Sequence, residues 1–313
     1  MTRSAIKEGL HPRNRFRERH DFAVLIAASP ALRAFVARNA HGDDSIDFSN
    51  PKAVKALNQA LLKHAYGLQA WDIPEGYLCP PIPGRSDYLL HLADLLGADH
   101  DGVNPRGPSV TVLDIGMGAN CIYPLIGAAE HGWRFVGTEV DPVALRWAAR
   151  LVKSNLAVAD LIECRLQTSS LECFKGVVKP GEVFDLSMCN PPFHASAAEA
   201  AAGSRRKLRN LSGKRDGRLV LNFGGRGIEL CCDGGELGFV RRMITQSAEI
   251  PGSCRWFTSL VSKAANLPLL VRMLRAAKVV SVRTVEMTHG QKESRILAWS
   301  FMEAPERQRQ RQP

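Results

Sequence analysis

The sequence predicts an α/β fold: a seven-stranded sheet with an antiparallel C-terminal hairpin, preceded by a mostly helical N-terminal module. Three observations carry this expectation. Between residues 110 and 139 an apolar strand, a glycine turn, an apolar helix and a second strand ending in an acid follow one another. A later apolar run, 183–188, ends in the turn Asn190-Pro191-Pro192-Phe193. Two strand-like runs, 279–286 and 295–302, then close the chain around Thr288-His289-Gly290.

Residues 1–84 read as the helical module. Apolar residues at helical spacing (Phe22, Leu25, Ile26, Leu32, Phe35, Val36) predict a helix over 21–38, interrupted at Ser29-Pro30. Ser49-Asn50-Pro51 supplies a cap and a first-turn proline for a helix over 52–66, with Val54, Leu57, Leu61 and Leu62 on one face. The proline-rich stretch 71–84 is expected to cross the surface as a loop, and an amphipathic helix follows over 88–96. Arg85 stands at the joint between module and core, where it could hold a ligand carboxylate or make only a surface ion pair.

From residue 110 the pattern becomes strand 110–115, the turn Gly116-Met117-Gly118-Ala119-Asn120, helix 122–131, strand 134–139 ending at Glu139, and helix 143–155 opened by Asp141-Pro142. A third strand over 160–166 and a fourth over 183–188 follow. Helix 238–248, strand 255–261, helix 267–277 and the terminal hairpin complete the sheet. The expected organisation is therefore a basic helical module over 1–84, an α/β domain over 85–303 and a disordered tail over 304–313.

At 313 residues, 45% of them apolar, the chain can bury one large α/β core plus an appendage. No run approaches the ~18 apolar residues of a membrane span, and the opening MTRSAIKEGLHPRNRFRERH has no signal-peptide core. A cytoplasmic protein is the expectation. The eight cysteines form no C-x-x-C pair and no zinc-like spacing with histidine, so reduced thiols and no metal are expected. Cys231-Cys232, in an apolar run, reads as structural.

The net charge of +10 is concentrated. Arg3, Lys7, Arg13, Arg15, Arg17 and Arg19 crowd the N-terminus, and Arg205, Arg206, Lys207, Arg209, Lys214, Arg215 and Arg218 crowd a later stretch. Two such clusters suggest phosphate-backbone contact, although either alone would serve equally as a solvated surface. The second lies in 195–218, a long Ala-, Gly- and Arg-rich loop placed directly after the Asn-Pro-Pro-Phe turn, where it could clamp nucleic acid.

The glycine turn and Glu139 outline a nucleoside-cofactor site: glycines let the backbone approach the ligand, and an acid at the next strand end accepts from ribose hydroxyls. Cys121 occupies the third glycine position of a dinucleotide fingerprint, so a cofactor without phosphates fits better. Gln167-Thr168, at the end of the third strand, would lie near such a cofactor, or Thr168 would only cap the helix after it. In the turn, Pro191 and Pro192 hold the chain extended and leave the Asn190 side chain and nearby carbonyls as acceptors beside the Phe193 ring. That corner suits a planar group bearing an NH2, whose lone pair becomes available when both N–H groups are accepted.

Asp114-Ile115-Gly116-x-Gly118 followed by Glu139 resembles motifs I and II of class I S-adenosylmethionine-dependent methyltransferases. Nearly end to end, the chain also resembles the ribosomal RNA large subunit methyltransferase F family, and it is similar to the eukaryotic adenine-N6 methyltransferase of a spliceosomal small nuclear RNA. The stretches that carry this are His11-Pro12-Arg13-Asn14-Arg15-Phe16, Ile82 to Tyr88, Asp114 to Pro124, Asn190-Pro191-Pro192-Phe193, Asn222-Phe223-Gly224-Gly225, and Trp256-Phe257-Thr258-Ser259 with Lys263.

The resemblance implies a Rossmann-like methyltransferase sheet and methyl transfer from S-adenosyl-L-methionine to N6 of an adenine in 23S ribosomal RNA, by a monomer that needs no metal or membrane. Arg85, Asp114, Gly116, Gly118, Glu139, Thr168 and Asn190 would hold the cofactor. Asn190, Pro191, Pro192 and Phe193 would receive the adenine. The N-terminal arginines (Arg13, Arg15, Arg17) and the later basic loop (Arg205, Arg206, Lys207, Arg209, Lys214, Arg215) would bind RNA. N5-glutamine methylation of a protein is the rival chemistry, because the same turn can hold a carboxamide. A non-catalytic RNA-binding factor is the rival of a different class.

Overall fold

Capping chemistry sets the first helices. Asp21 accepts from Val24 N and opens α1 (Phe22–Ala28). The side chain of Asn50 accepts from Lys52 N at 3.0 Å and opens α2 (Pro51–Tyr66), which ends on left-handed Gly67. The structure, a computed structural model, describes residues 8–196, 227–289 and 292–308. The second basic cluster, Arg205 to Arg218, and Asn222-Phe223-Gly224-Gly225 lie outside the described residues.

The segment 29–38, expected to continue the first helix, instead forms a 3-10 turn (Pro30–Phe35) and then β1 (Val36–Arg38), paired antiparallel with β2 (Asp44–Ile46). Pro30 has no N–H to donate to Ile26 O and its ring opposes the preceding turn, so α1 ends at Ala28. Helix α3 runs over Ile82–Gly97, six residues earlier than expected, with a proline in its first turn. There the missing N–H would have no intrahelical partner in any case. The anticipated boundary between residues 84 and 85 thus falls inside one helix.

Along the chain follow β3 (Thr111–Ile115), α4 (Ile122–His131), β4 (Arg134–Glu139), α5 (Pro142–Ser154), β5 (Ile162–Leu166), β6 (Phe184–Cys189), α6 (Gly235–Ser247), β7 (Cys254–Val261), α7 (Leu267–Ala276), β8 (Ser281–His289) and β9 (Lys292–Ser300). The large sheet has seven strands in the order β5-β4-β3-β6-β7-β9-β8. β5, β4, β3, β6 and β7 are parallel, whereas β9 runs antiparallel to both β7 and β8. Strand order reverses between β3 and β6, and ligands of open α/β sheets bind at the carboxyl ends of strands flanking such a reversal.

Both faces of the sheet are covered, so its central strands are buried throughout: every residue of β6 and of β7 is inside. Adjacent residues serve opposite layers. Val112, Trp256 and Ala298 join the core made with α2, α3 and α4, whereas Leu113, Phe257 and Trp299 join the core made with α6 and α7. The N-terminal helices belong to the first of these, and Phe16, Leu57 and Leu61 share one continuous cluster with Ile122 and Leu125.

The tail departs from the disorder expected of it. Ala304–Gln308 is helical, and Arg307, 3% exposed, donates to both carboxylate oxygens of Asp99 at 2.9 and 3.0 Å. Trp256 Nε1 donates to the same carboxylate at 2.6 Å. A polar, charge-rich segment is held here because a buried acid lies within its reach; residues 309–313 lie outside the described residues.

Candidate active site

The glycine turn after β3 opens a cavity of about 370 Å³ at the carboxyl edge of the sheet. Gly116 (φ +74°) and Gly118 (φ +67°) are left-handed, a conformation that costs glycine little and other residues more. A Cβ on Gly118 would come within 3.3 Å of Asn120 Nδ2, whereas nothing lies within 4 Å of one on Gly116. This bare backbone leaves room for a ligand to approach closely. Cys121, at the position of the missing third glycine, is also left-handed (φ +49°) and caps α4.

Glu139, at the end of β4, is 6% exposed. Its carboxylate accepts from Gly118 N at 2.9 Å, Val140 N at 2.8 Å and Asp141 N at 3.0 Å. Burial raises its pKa, and these three N–H groups oppose the rise. The acid and the glycine turn are therefore one hydrogen-bonded unit. On the next strand the Asp114 carboxylate is 1% exposed and finds no hydrogen-bond partner among the described residues. Burial pushes its pKa up to about 8, with Arg85 opposing and Glu139 reinforcing the shift.

Asn190 leaves β6 at the same edge. The hydrogen-bond network orients its amide so that Oδ1 accepts from Arg85 Nη1 at 3.0 Å and Nη2 at 3.2 Å. Arg85 also donates to the Tyr123 hydroxyl and lies 5.2 Å over that ring. Beyond Phe193 the backbone is fixed again: His194 N donates to Leu230 O at 3.0 Å and Cys232 N to His194 O at 3.1 Å. The Asn-Pro-Pro-Phe turn is thus held at one end by a buried strand and at the other by the segment 230–232.

Arg85, Gly116, Gly118, Glu139, Asn190 and Pro192 line this one cavity. Asp114, Pro191 and Phe193 are not among its lining residues, nor is Thr168, whose place in the wall is taken by Gln167 and 170–173. Gln167 turns away from solvent to bind Lys175 O at 2.9 Å and Ser169 N at 3.0 Å, which shapes that loop. Cys231 and Cys232, read from their apolar surroundings as structural, line the cavity because the backbone pairing with His194 brings them there. Tyr123 and Glu229, not expected as site residues, also line the wall. Tyr123 lies in a stretch already singled out, directly after the glycine turn; Glu229 carries no local signal.

Of the N-terminal arginines, Arg13 and Arg15 lie on the surface in ion pairs, whereas Arg17 is half-buried. Arg13, 46% exposed, pairs with Asp94, and Arg15, 55% exposed, pairs with Glu130 at 2.9 Å. Arg17 donates to Pro12 O at 3.4 Å. Exposed pairs of this kind contribute about 0–1 kcal/mol, so a phosphate can compete for either arginine. Asp87 fixes the segment that carries them, accepting from His11 N at 2.7 Å and Asn14 Nδ2 at 2.9 Å. Among the described residues no group of three or more His, Cys, Asp or Glu could hold a metal ion, and no helix is long and apolar enough to cross a membrane.

Comparison with known proteins bears on this geometry. The sequence profile of a family described as RNA methyltransferase matches residues 4–303. The chain is 54% identical over 310 residues to ribosomal RNA large subunit methyltransferase F of Pectobacterium carotovorum, covering 99% of this chain and 98% of that one. It is 51% identical over 312 residues to the protein of the same name from Photobacterium profundum, covering 95% and 92%. Among solved structures it is similar to the human METTL16 catalytic domain in complex with a MAT2A 3′UTR hairpin (TM-score 0.79, 33% identity, 94% and 96% coverage). The N-terminal domain of human METTL16 in complex with SAH is also similar (TM-score 0.74, 32% identity, 94% and 99% coverage).

Proposed function

The chain belongs to the RNA methyltransferase family, and from that premise we propose that it methylates N6 of one adenine in 23S ribosomal RNA. It is an rRNA methyltransferase whose cofactor is S-adenosyl-L-methionine. Bound in the cavity, that cofactor supplies a methyl group on a positively charged sulfur. The left-handed glycines and the buried, orphaned polar atoms suit it: Gly116 and Gly118 present bare backbone, Glu139 accepts from ribose hydroxyls, and Arg85 receives the carboxylate of the amino-acid head.

The observation that carries the adenine reading is the opening of Asn190 and Glu139 into one cavity. Acceptors at Asn190 take the two N–H groups of the exocyclic amine and aim its lone pair, while the Phe193 ring receives the base once it has left its stack. Positioning is the main catalytic lever, and the amine gives up its proton to solvent after transfer. The chain acts as a cytoplasmic monomer, with its basic N-terminal segment on the RNA backbone.

Mass-spectrometric mapping of N6-methyladenine in 23S rRNA, from cells with and without this chain, tests the proposal. One site should lose its mark in the deletion strain. Parallel incubation of the protein with labelled cofactor and total RNA, DNA or protein tests the substrate class, and label in the protein fraction alone would make the carboxamide rival the better reading.

A further inference from the structure

The cavity wall holds acids besides Glu139. They are Asp141, Glu172, Glu229 and Asp233. Asp141 caps α5 at Val143 N (2.8 Å) and accepts the Tyr77 hydroxyl at 2.5 Å. Glu229 is placed differently. It stands on the helical turn Gly227–Leu230, beside the segment that pairs with His194, and reaches across to the glycine turn. Its Oε2 accepts from Leu78 N at 3.1 Å, and its Oε1 lies 3.6 Å from the point where a Cβ on Gly118 would stand. Asn120 Nδ2 lies 3.3 Å from that point and donates to Leu78 O at 3.4 Å. One carboxylate oxygen of Glu229 is thus anchored to backbone, while the other lies against the bare face of the cofactor loop.

We propose that Glu229 is a cofactor-binding residue that receives the α-ammonium group of S-adenosyl-L-methionine. The assignment rests on the reading of this cavity as the cofactor site. An amino-acid head carries an anion and a cation on neighbouring atoms, and a low-dielectric site that binds it must answer both charges. Arg85 answers the carboxylate. Glu139 accepts three backbone N–H groups from the stretch it organises. Glu229 is a second acid beside Gly118, with Oε1 at 3.6 Å from the point where a Cβ would stand. The anchor at Leu78 N holds it there, so little side-chain freedom remains to be lost on binding.

The experiment is a ligand–variant cycle by titration calorimetry. The probes are S-adenosylhomocysteine, which carries the same head, and its des-amino analogue, in which hydrogen replaces the ammonium. The proteins are the unaltered chain, Glu229→Gln and Glu139→Ala. Glutamine keeps an oxygen for Leu78 N and removes the charge. The unaltered chain should bind S-adenosylhomocysteine about tenfold or more tightly than the des-amino compound. In Glu229→Gln that preference should collapse to within about twofold, with thermal stability unchanged. Glu139→Ala should weaken both probes equally and keep the preference.

A Glu229→Gln protein that keeps the full preference, or that weakens for both probes alike, overturns the assignment. Failure of the unaltered chain to bind S-adenosylhomocysteine overturns the cofactor reading and the assignment with it.

Discussion

The Asn190 side-chain oxygen accepts from both terminal nitrogens of Arg85, at 3.0 and 3.2 Å. The residue expected to present an acceptor to the substrate and the residue expected to hold the cofactor are therefore partners in this structure. A carboxylate is the stronger acceptor for a guanidinium fork, so an acid bound at Arg85 would release the Asn190 oxygen. Replacement of Arg85 by Ala should weaken cofactor binding and also lower turnover at saturating cofactor. Arg85→Lys should restore little, since an ammonium cannot reproduce the fork. Calorimetric Kd values alongside single-turnover rates separate the two effects.

Asn190→Ala should act on the chemical step. Loss of an acceptor aimed at the reacting amine lowers turnover by about 10²–10³-fold, with cofactor Kd changed only a few-fold. Single-turnover methylation of an rRNA fragment checks this. A turnover rate close to that of the unaltered chain would remove Asn190 from the mechanism.

Glu139→Ala leaves Gly118 N, Val140 N and Asp141 N without their carboxylate. Cofactor affinity should fall by tenfold or more and stability by about 1–3 kcal/mol, because buried donors are left unsatisfied. Urea denaturation and equilibrium binding measure the two losses on the same preparation.

Asp114 makes stability depend on pH with a definite sign. Burial raises its carboxyl from 3.8 to about 8, so the folded chain keeps a proton that the unfolded chain releases. Its contribution is fully present below about pH 4 and is lost as pH rises towards 8. Asp114→Asn removes this titration. The stability difference between the two proteins, followed by thermal unfolding from pH 4 to 8, should move steadily in favour of the variant.

Arg307→Ala should cost about 3–5 kcal/mol, because it strips the buried Asp99 of its guanidinium partner. Removal of residues 304–313 should cost a similar amount. Urea midpoints of both proteins test whether the C-terminus is part of the fold.

Much of the architecture was legible from local pattern. Helix 122–131 and strand 134–139 appear with the bounds their periodicity predicted, and the glycine turn lies between strand and helix as its residues require. These features depend on neighbours a few residues apart, which one stretch of chain contains in full. The start of α3 was not legible in the same way, because a Pro-Gly pair signals a loop and also fits the first turn of a helix.

Local pattern suffices for the α/β order, the glycine turn, the acid at the end of β4 and the acceptor turn after β6. Tertiary structure alone decided that Arg85 meets Asn190, that Glu229 reaches Gly118, that of the pair Gln167-Thr168 only Gln167 lines the cavity, and that Arg307 finds Asp99 across 208 residues. Such pairings follow from strand order and from which sheet face a segment covers. No local period encodes them, since they exist only once the sheet has brought distant ends together.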